Sequence, residues 1–432
     1  MLLPKSSHSR ARGWHNWAAH AAFLPIGVVT VLLGPLLPIL SARWSLNYAQ
    51  AGSLVTAQFL GSTFGVFASG FLVSRRGFRF ATDAGLLAMA AGVGALLFGS
   101  RPTGLVCILV YGFGLGLAIP AINLYVAAAN PARRSAALNL LNFSWSIGAV
   151  ACPFVVAAAA RADKVEVFLV ALAGFLLLVF FGIAALPRSF DPSVSSPSVA
   201  SGVAKVDKGA EPLHLPLHTS LHALLHTRRH MLILLAALFF LYVGAENGFG
   251  GWIASYAKTL KSPSLALPVL MPSFFYAALM LGRWIAPLLL PGSAETGTVE
   301  TPIREMATVK TALPETKLAR FGLLLGSCGM AGLLLSRTLP LVAASAAVAG
   351  LGLAAVYPIT IARLAREFGP HAARVGSIMF TMANLGGAFV PWAVGFAAHQ
   401  FDDLRFGLAL PLAAALAMFA FYPADSVSPS RG

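Results

Sequence analysis

Apolar residues in this chain come in long blocks, and the breaks between them are short clusters of Arg, Pro, Ser and Asn. A helix needs about 20 mostly apolar residues to cross a hydrocarbon core about 30 Å thick. Blocks of that length recur at residues 18–41, 49–73, 80–100, 103–128, 135–160 and 165–187, then at 231–257, 265–291, 317–336, 339–364, 374–398 and 404–422. The pattern predicts an all-α membrane protein of twelve transmembrane helices in two groups of six. Barrel strands are excluded, because their mark is alternation over about ten residues. The first block is expected to remain in the mature chain: it exceeds the roughly 7–15 apolar residues of a signal peptide, and no small-residue cleavage site follows it.

The two groups predict two six-helix bundles, residues 1–187 and 231–432, joined by a linker over 188–230 that is rich in Ser, Pro and charge. His214, His218, His222, His226 and His230 recur there every four residues. Such spacing would share one helix face and suit a metal or a proton, but Pro216 interrupts the early part. LHALLHTRRHM reads better as an interfacial helix leading into the seventh span. Internal similarity ties the groups together. Gly27, Gly34 and Gly65 recur 217 residues later as Gly244, Gly251 and Gly282. Gly112, Gly114, Pro120, Gly148 and Pro153 meet Gly350, Gly352, Pro358, Gly386 and Pro391 at a shift of 238. A duplicated six-helix unit is a common plan for secondary transporters, whose site lies near the midplane between the repeats.

Composition agrees. The 432 residues are 58% hydrophobic and 10% charged, against about 25% charged in soluble domains. The net charge of +15 would suggest nucleic acid in a soluble protein; here the basic clusters Lys5/Arg10/Arg12, Arg75/Arg76/Arg79, Arg133/Arg134, Arg228/Arg229 and Arg363/Arg366/Arg374 all fall on one side of the membrane. The positive-inside bias places that side, and both termini, in the cytoplasm. The three cysteines lie within spans and form no ligand spacing. No GxxxxGK[ST] loop or catalytic constellation occurs, so no cofactor, metal, ATP hydrolysis or enzyme activity is expected.

After the second span, GFLVSRRGFR (Gly70 to Arg79) resembles the loop motif of the major facilitator superfamily. Gly70, Leu72, Arg75, Gly77 and Arg79 match it, while Ser74 stands where the motif has aspartate. VVTVLLGPLLPIL, LNLLNFSWSIGAVACPF, GAENGFGGW and LGR are similar to the branch containing fucose permease and related sugar transporters. The resemblance implies alternating access and assigns gating to Gly70, Arg75, Gly77 and Arg79. The acidic residues that serve substrate and proton in fucose permease align with Gly34 and Ile119, which cannot titrate.

Glu246 is the carboxylate placed deepest in a span, about halfway along the seventh, and beside it Asn247 is both donor and acceptor. A charge at that depth costs roughly 2.5–3.5 kcal/mol on insertion scales, so the site either uses it or holds it protonated in an interhelical hydrogen bond. Thr30, Gln58, Asn142, Trp145, Tyr276, Tyr357 and Asn384 are the other polar and aromatic mid-span residues. Sugars suit such a set: aromatic faces for ring C–H groups and amides for hydroxyls. Each could equally pack or bridge helices. Arg283, the one deep basic residue, reads as snorkelling or touching neighbouring helix ends at an inner gate. Asp83 and His20 lie near span boundaries.

The reading is a monomeric transporter in the cell inner or plasma membrane, moving a neutral sugar or polyol inward, alone or with H+ or Na+. A proton-coupled exporter of amphipathic compounds is the first alternative, from the partial antiporter-like pattern at Gly148 to Pro153, in which Cys152 stands where glycine belongs. A nontransporting sensor with the histidine-spaced linker as input is the second. Placement of the linker is tested by Ser195→Cys: an impermeant thiol reagent is expected to label it only after the cells are opened, and labelling of intact cells would reverse the orientation.

Overall fold

A computed structural model of the protein describes residues 7–96, 100–130, 134–185, 228–260, 265–289, 315–368 and 372–423. Most of the linker, with Ser195, His214, His218, His222 and His226, lies outside them. No strand occurs among the described residues. The first set of helices is α1 (Ser7–Val31), α2 (Leu33–Arg43), α3 (Tyr48–Ala95), α4 (Arg101–Ala129), α5 (Arg134–Arg161) and α6 (Val165–Ala184). The second set is α7 (Arg229–Gly250), α8 (Ile253–Thr259), α9 (Ala266–Leu270), α10 (Pro272–Leu289), α11 (Glu315–Leu335), α12 (Leu339–Leu353), α13 (Val356–Phe368), α14 (Ala372–Gln400) and α15 (Leu404–Phe421).

Ten helical stretches among the described residues are long and apolar enough to cross a membrane, and α1 with α2, bent by 44°, makes an eleventh. Pro35 explains the bend, since it has no N–H to reach the Val31 carbonyl. Helix α3 has 48 residues, about 72 Å at 1.5 Å per residue, more than twice the hydrocarbon thickness. Gly77 divides it with φ 89° and ψ 169°, a conformation that a side chain opposes and glycine tolerates. Room for the twelve crossings expected from the sequence follows from that one kink.

Glycine also sets how the helices cross. A Cβ on Gly148 of α5 would lie 2.1 Å from the Leu24 carbonyl oxygen of α1, and one on Gly27 would lie 2.1 Å from the Trp145 carbonyl oxygen. Backbone therefore meets backbone along α1 and α5, the arrangement small residues permit between membrane helices. The repeat partners do the same in the second set, where a Cβ on Gly386 of α14 would lie 2.0 Å from the Phe240 carbonyl oxygen of α7. The α1–α5 contact at Gly27 and Gly148 fixes the height of Trp145 against Thr30.

Gly34 and Gly251, themselves repeat partners, bring the two sets together: a Cβ on Gly34 would be 3.3 Å from the Gly251 Cα. Around them, Lys258 Nζ donates to the Pro38 carbonyl at 3.2 Å, Tyr48 packs edge-on to Trp252, and Thr56 Oγ1 donates to the Ala388 carbonyl at 3.0 Å. These contacts close the end of the protein remote from the Gly77 turn. Gly148→Ala is expected to lower the thermal midpoint in detergent, because overpacking a tight contact costs about 1–3 kcal/mol. Gly174→Ala and Gly182→Ala, with nothing within 4 Å of the new Cβ, are expected to leave it unchanged; equal midpoints for all three would mean the crossing is not close-packed.

Candidate functional site

Glu246 lies one turn from the C-terminal end of α7, about midway along the span Arg229–Thr259, and an arginine from α10 meets it: Arg283 Nη2 is 3.5 Å from Glu246 Oε1, with side chains 27% and 13% exposed. That geometry corrects the reading of Arg283 as a snorkelling or helix-end residue. Its charge has a carboxylate at the same depth, so it has no need to reach for the interface. The guanidinium carbon is also 5.9 Å from the centre of the Trp145 ring, within cation–π range and on the other set of helices.

Tyrosines frame the pair. Tyr242, one turn before Glu246, is buried; its hydroxyl donates to the Leu353 carbonyl at 3.1 Å and lies near both Arg283 and Glu246. Tyr357 of α13 stacks on the Tyr242 ring at 5.2 Å, near both charges. Tyr276 of α10 feels the Glu246 charge, and its hydroxyl is 3.1 Å from where a Cβ on Gly250 would be. Sequence reasoning missed Tyr242, although its place four residues before Glu246 puts it on the same helix face.

From the first set, Trp145 Nε1 donates to Thr30 Oγ1 at 3.2 Å, and that hydroxyl donates to the Ile26 carbonyl at 2.7 Å. The indole is thus held from its polar edge with its face toward Arg283. Thr30, Trp145, Glu246, Arg283, Tyr276 and Tyr357 form one constellation. Gln58 supports it from behind: buried, it donates Nε2 to the Thr30 carbonyl at 3.0 Å and accepts from the Tyr111 hydroxyl at 2.9 Å. Asn142 and Asn247 donate to their own helices, at the Leu138 and Val243 carbonyls. Asn384 is half-buried on α14, outside this chain of contacts.

The loop motif keeps an arginine–carboxylate pair by another route. Arg79 donates to the Ala184 carbonyl at the end of α6 and faces Asp83, one turn on, at 3.7 Å. Asp83 thereby supplies the carboxylate that Ser74 lacks, while Ser74 bonds back to the Phe71 carbonyl. Arg75 lies over the Phe71 ring at 4.3 Å, and Gly70 has open space around it. No group of His, Cys, Asp and Glu suited to a metal occurs among the described residues. Cys152, in the partial antiporter-like stretch, is fully buried beside the packing glycine Gly148.

Residues 20–293 match the model of the Major Facilitator Superfamily, well over half of the chain. The chain belongs to the major facilitator superfamily. It is therefore a multi-pass membrane transporter, and membership points away from an enzyme. No curated protein sequence matches it. Among solved structures, the nucleoside transporter NupG superimposes with a TM-score of 0.70 at 12% identity, covering 95% of this chain and 99% of that one. The E. coli fucose:proton symporter FucP gives 0.59 at 16% identity, covering 96% and 98%. A bacterial homolog of the human lysosomal transporter Spinster, inward-facing and unoccupied, gives 0.72 at 13% identity over 97% of each chain. At such identities the likeness is one of fold.

Proposed function

We propose that this transporter takes up a sugar or polyol by alternating access, the helices of residues 1–187 and 231–432 rocking as two bodies about Glu246 and Arg283. The observation that carries this reading is the ion pair itself, which lies between α7 and α10 and faces Trp145 of the other set. A solute there meets an indole face, tyrosine hydroxyls and a charge pair that can donate and accept, which is what a hydroxylated ring requires. Such a protein with both termini in the cytoplasm, as the basic clusters indicate, has its closed end outside and its site facing inward. It would work as a monomer in the inner or plasma membrane. Arg75, Gly77, Arg79 and Asp83 would bias the rocking without touching solute.

Glu246 is the group in this site that can take up a proton, so it couples the solute to a proton gradient in preference to sodium. Glu246→Gln keeps the size of the side chain and removes the carboxyl group. In proteoliposomes loaded and assayed with labelled hexose, the variant is expected to lose accumulation against a gradient and to keep counterflow exchange, which needs no net proton movement. Accumulation at the wild-type level by a folded Glu246→Gln protein would remove Glu246 from coupling, and accumulation driven by sodium alone would replace the ion.

A further inference from the structure

The site holds an arginine that a neutral solute does not require. A buried ion pair is a weak source of stability, since desolvating both partners costs about what their attraction returns, and a neutral sugar binds through hydroxyls alone. Arg283 is nevertheless present, and its closest approach to Glu246, 3.5 Å, is well beyond the roughly 2.7–2.9 Å of a closed charge-assisted hydrogen bond. The forked guanidinium is therefore not locked onto its own carboxylate. Its central carbon lies 5.9 Å from the centre of the Trp145 ring and more than a quarter of the side chain remains exposed, and its N–H groups suit a planar, two-oxygen acceptor.

Charge balance names that acceptor. The titratable groups facing Glu246 are Arg283 and Tyr276 on α10, Tyr242 on α7 and Tyr357 on α13, with Cys152 of α5 near Tyr276. The residues that α14 and α15 set against α7 here, Val390, Val394 and Pro411, do not titrate. A proton on Glu246 leaves Arg283 as the one full charge in this group. A solute carboxylate then restores neutrality, and the protonated Glu246 becomes a hydrogen-bond donor to it or to a neighbouring hydroxyl. Resting on the sugar reading above, we propose that the solute of this site is a sugar acid, a polyhydroxylated carboxylate seated on Arg283 and carried together with one proton on Glu246.

The test is binding to the purified full chain, read by calorimetry with D-glucuronate and D-gluconate against D-glucose and sorbitol across a pH series. Wild-type protein is expected to bind the acids more tightly than the neutral compounds, and to gain affinity for them, by at most about tenfold per pH unit, as pH falls. Glu246→Gln should remove that pH dependence, and Arg283→Gln should collapse the acid-to-neutral affinity ratio by about ten- to 150-fold, the range for losing a charged hydrogen bond. The wild-type pH series decides the matter even where a variant fails to fold. Tighter binding of glucose or sorbitol than of either acid at every pH overturns the sugar-acid assignment and leaves sugar transport standing. Binding of none of the four overturns both.

Discussion

A carboxylate in the middle of a membrane-spanning helix costs several kilocalories per mole unless a partner shares its field, and in this protein that partner comes from a different helix. Arg283 reaches Glu246 across the α7–α10 interface, so the two helices must keep a common register along the membrane normal. The tyrosines follow from the same requirement: Tyr242, Tyr276 and Tyr357 surround the pair with hydroxyls that apolar side chains would not supply. What a soluble protein leaves to water, this site leaves to phenols.

The rest of the architecture brings the first set of helices up to that pair. Backbone contact at Gly27 and Gly148 holds α5 against α1, Thr30 fixes the indole edge of Trp145, and Gln58 ties Thr30 to Tyr111. Gly34 and Gly251 then meet where the two sets close. Sites above and below this plane differ in kind. At the closed end the contacts between sets are glycine backbone, aromatic rings and side-chain donors on carbonyls, with the charged one, Lys258, exposed, while near the Gly77 turn Arg79, Asp83 and Ala184 bond within the first set. Contacts of the first kind can separate without stranding a buried charge, which suits a gate that must open.

How much of this could be read in the sequence depends on direction. Depth along the membrane normal is written in the chain, because position within an apolar block gives it; hence the spans, the depth of Glu246 and the repeat of its glycines were legible. Azimuth around each helix is not, since blocks apolar on all sides carry almost no amphipathic signal. That is why Gln58, which points into the α1–α4 contacts, looked like a ligand residue, and why Arg283, which points at Glu246, looked like an interfacial one. The carboxylate facing Arg79 was hidden for a related reason: Asp83 stands one helical turn past Arg79, outside the motif.

The central claim is that Glu246 and Arg283 stabilise each other as a pair. A double-mutant cycle of Glu246→Gln, Arg283→Gln and the combination, read as thermal stability of the purified protein, tests it most directly. Removing one partner of a buried pair typically costs about 3–5 kcal/mol, while removing both is often close to neutral; the side chains here are partly exposed, so the lower end of that range applies. The account predicts two destabilised single variants and a double variant that recovers most of the loss. Additive losses, with the double variant the least stable of the three, would show that the two charges are held independently and would contradict it.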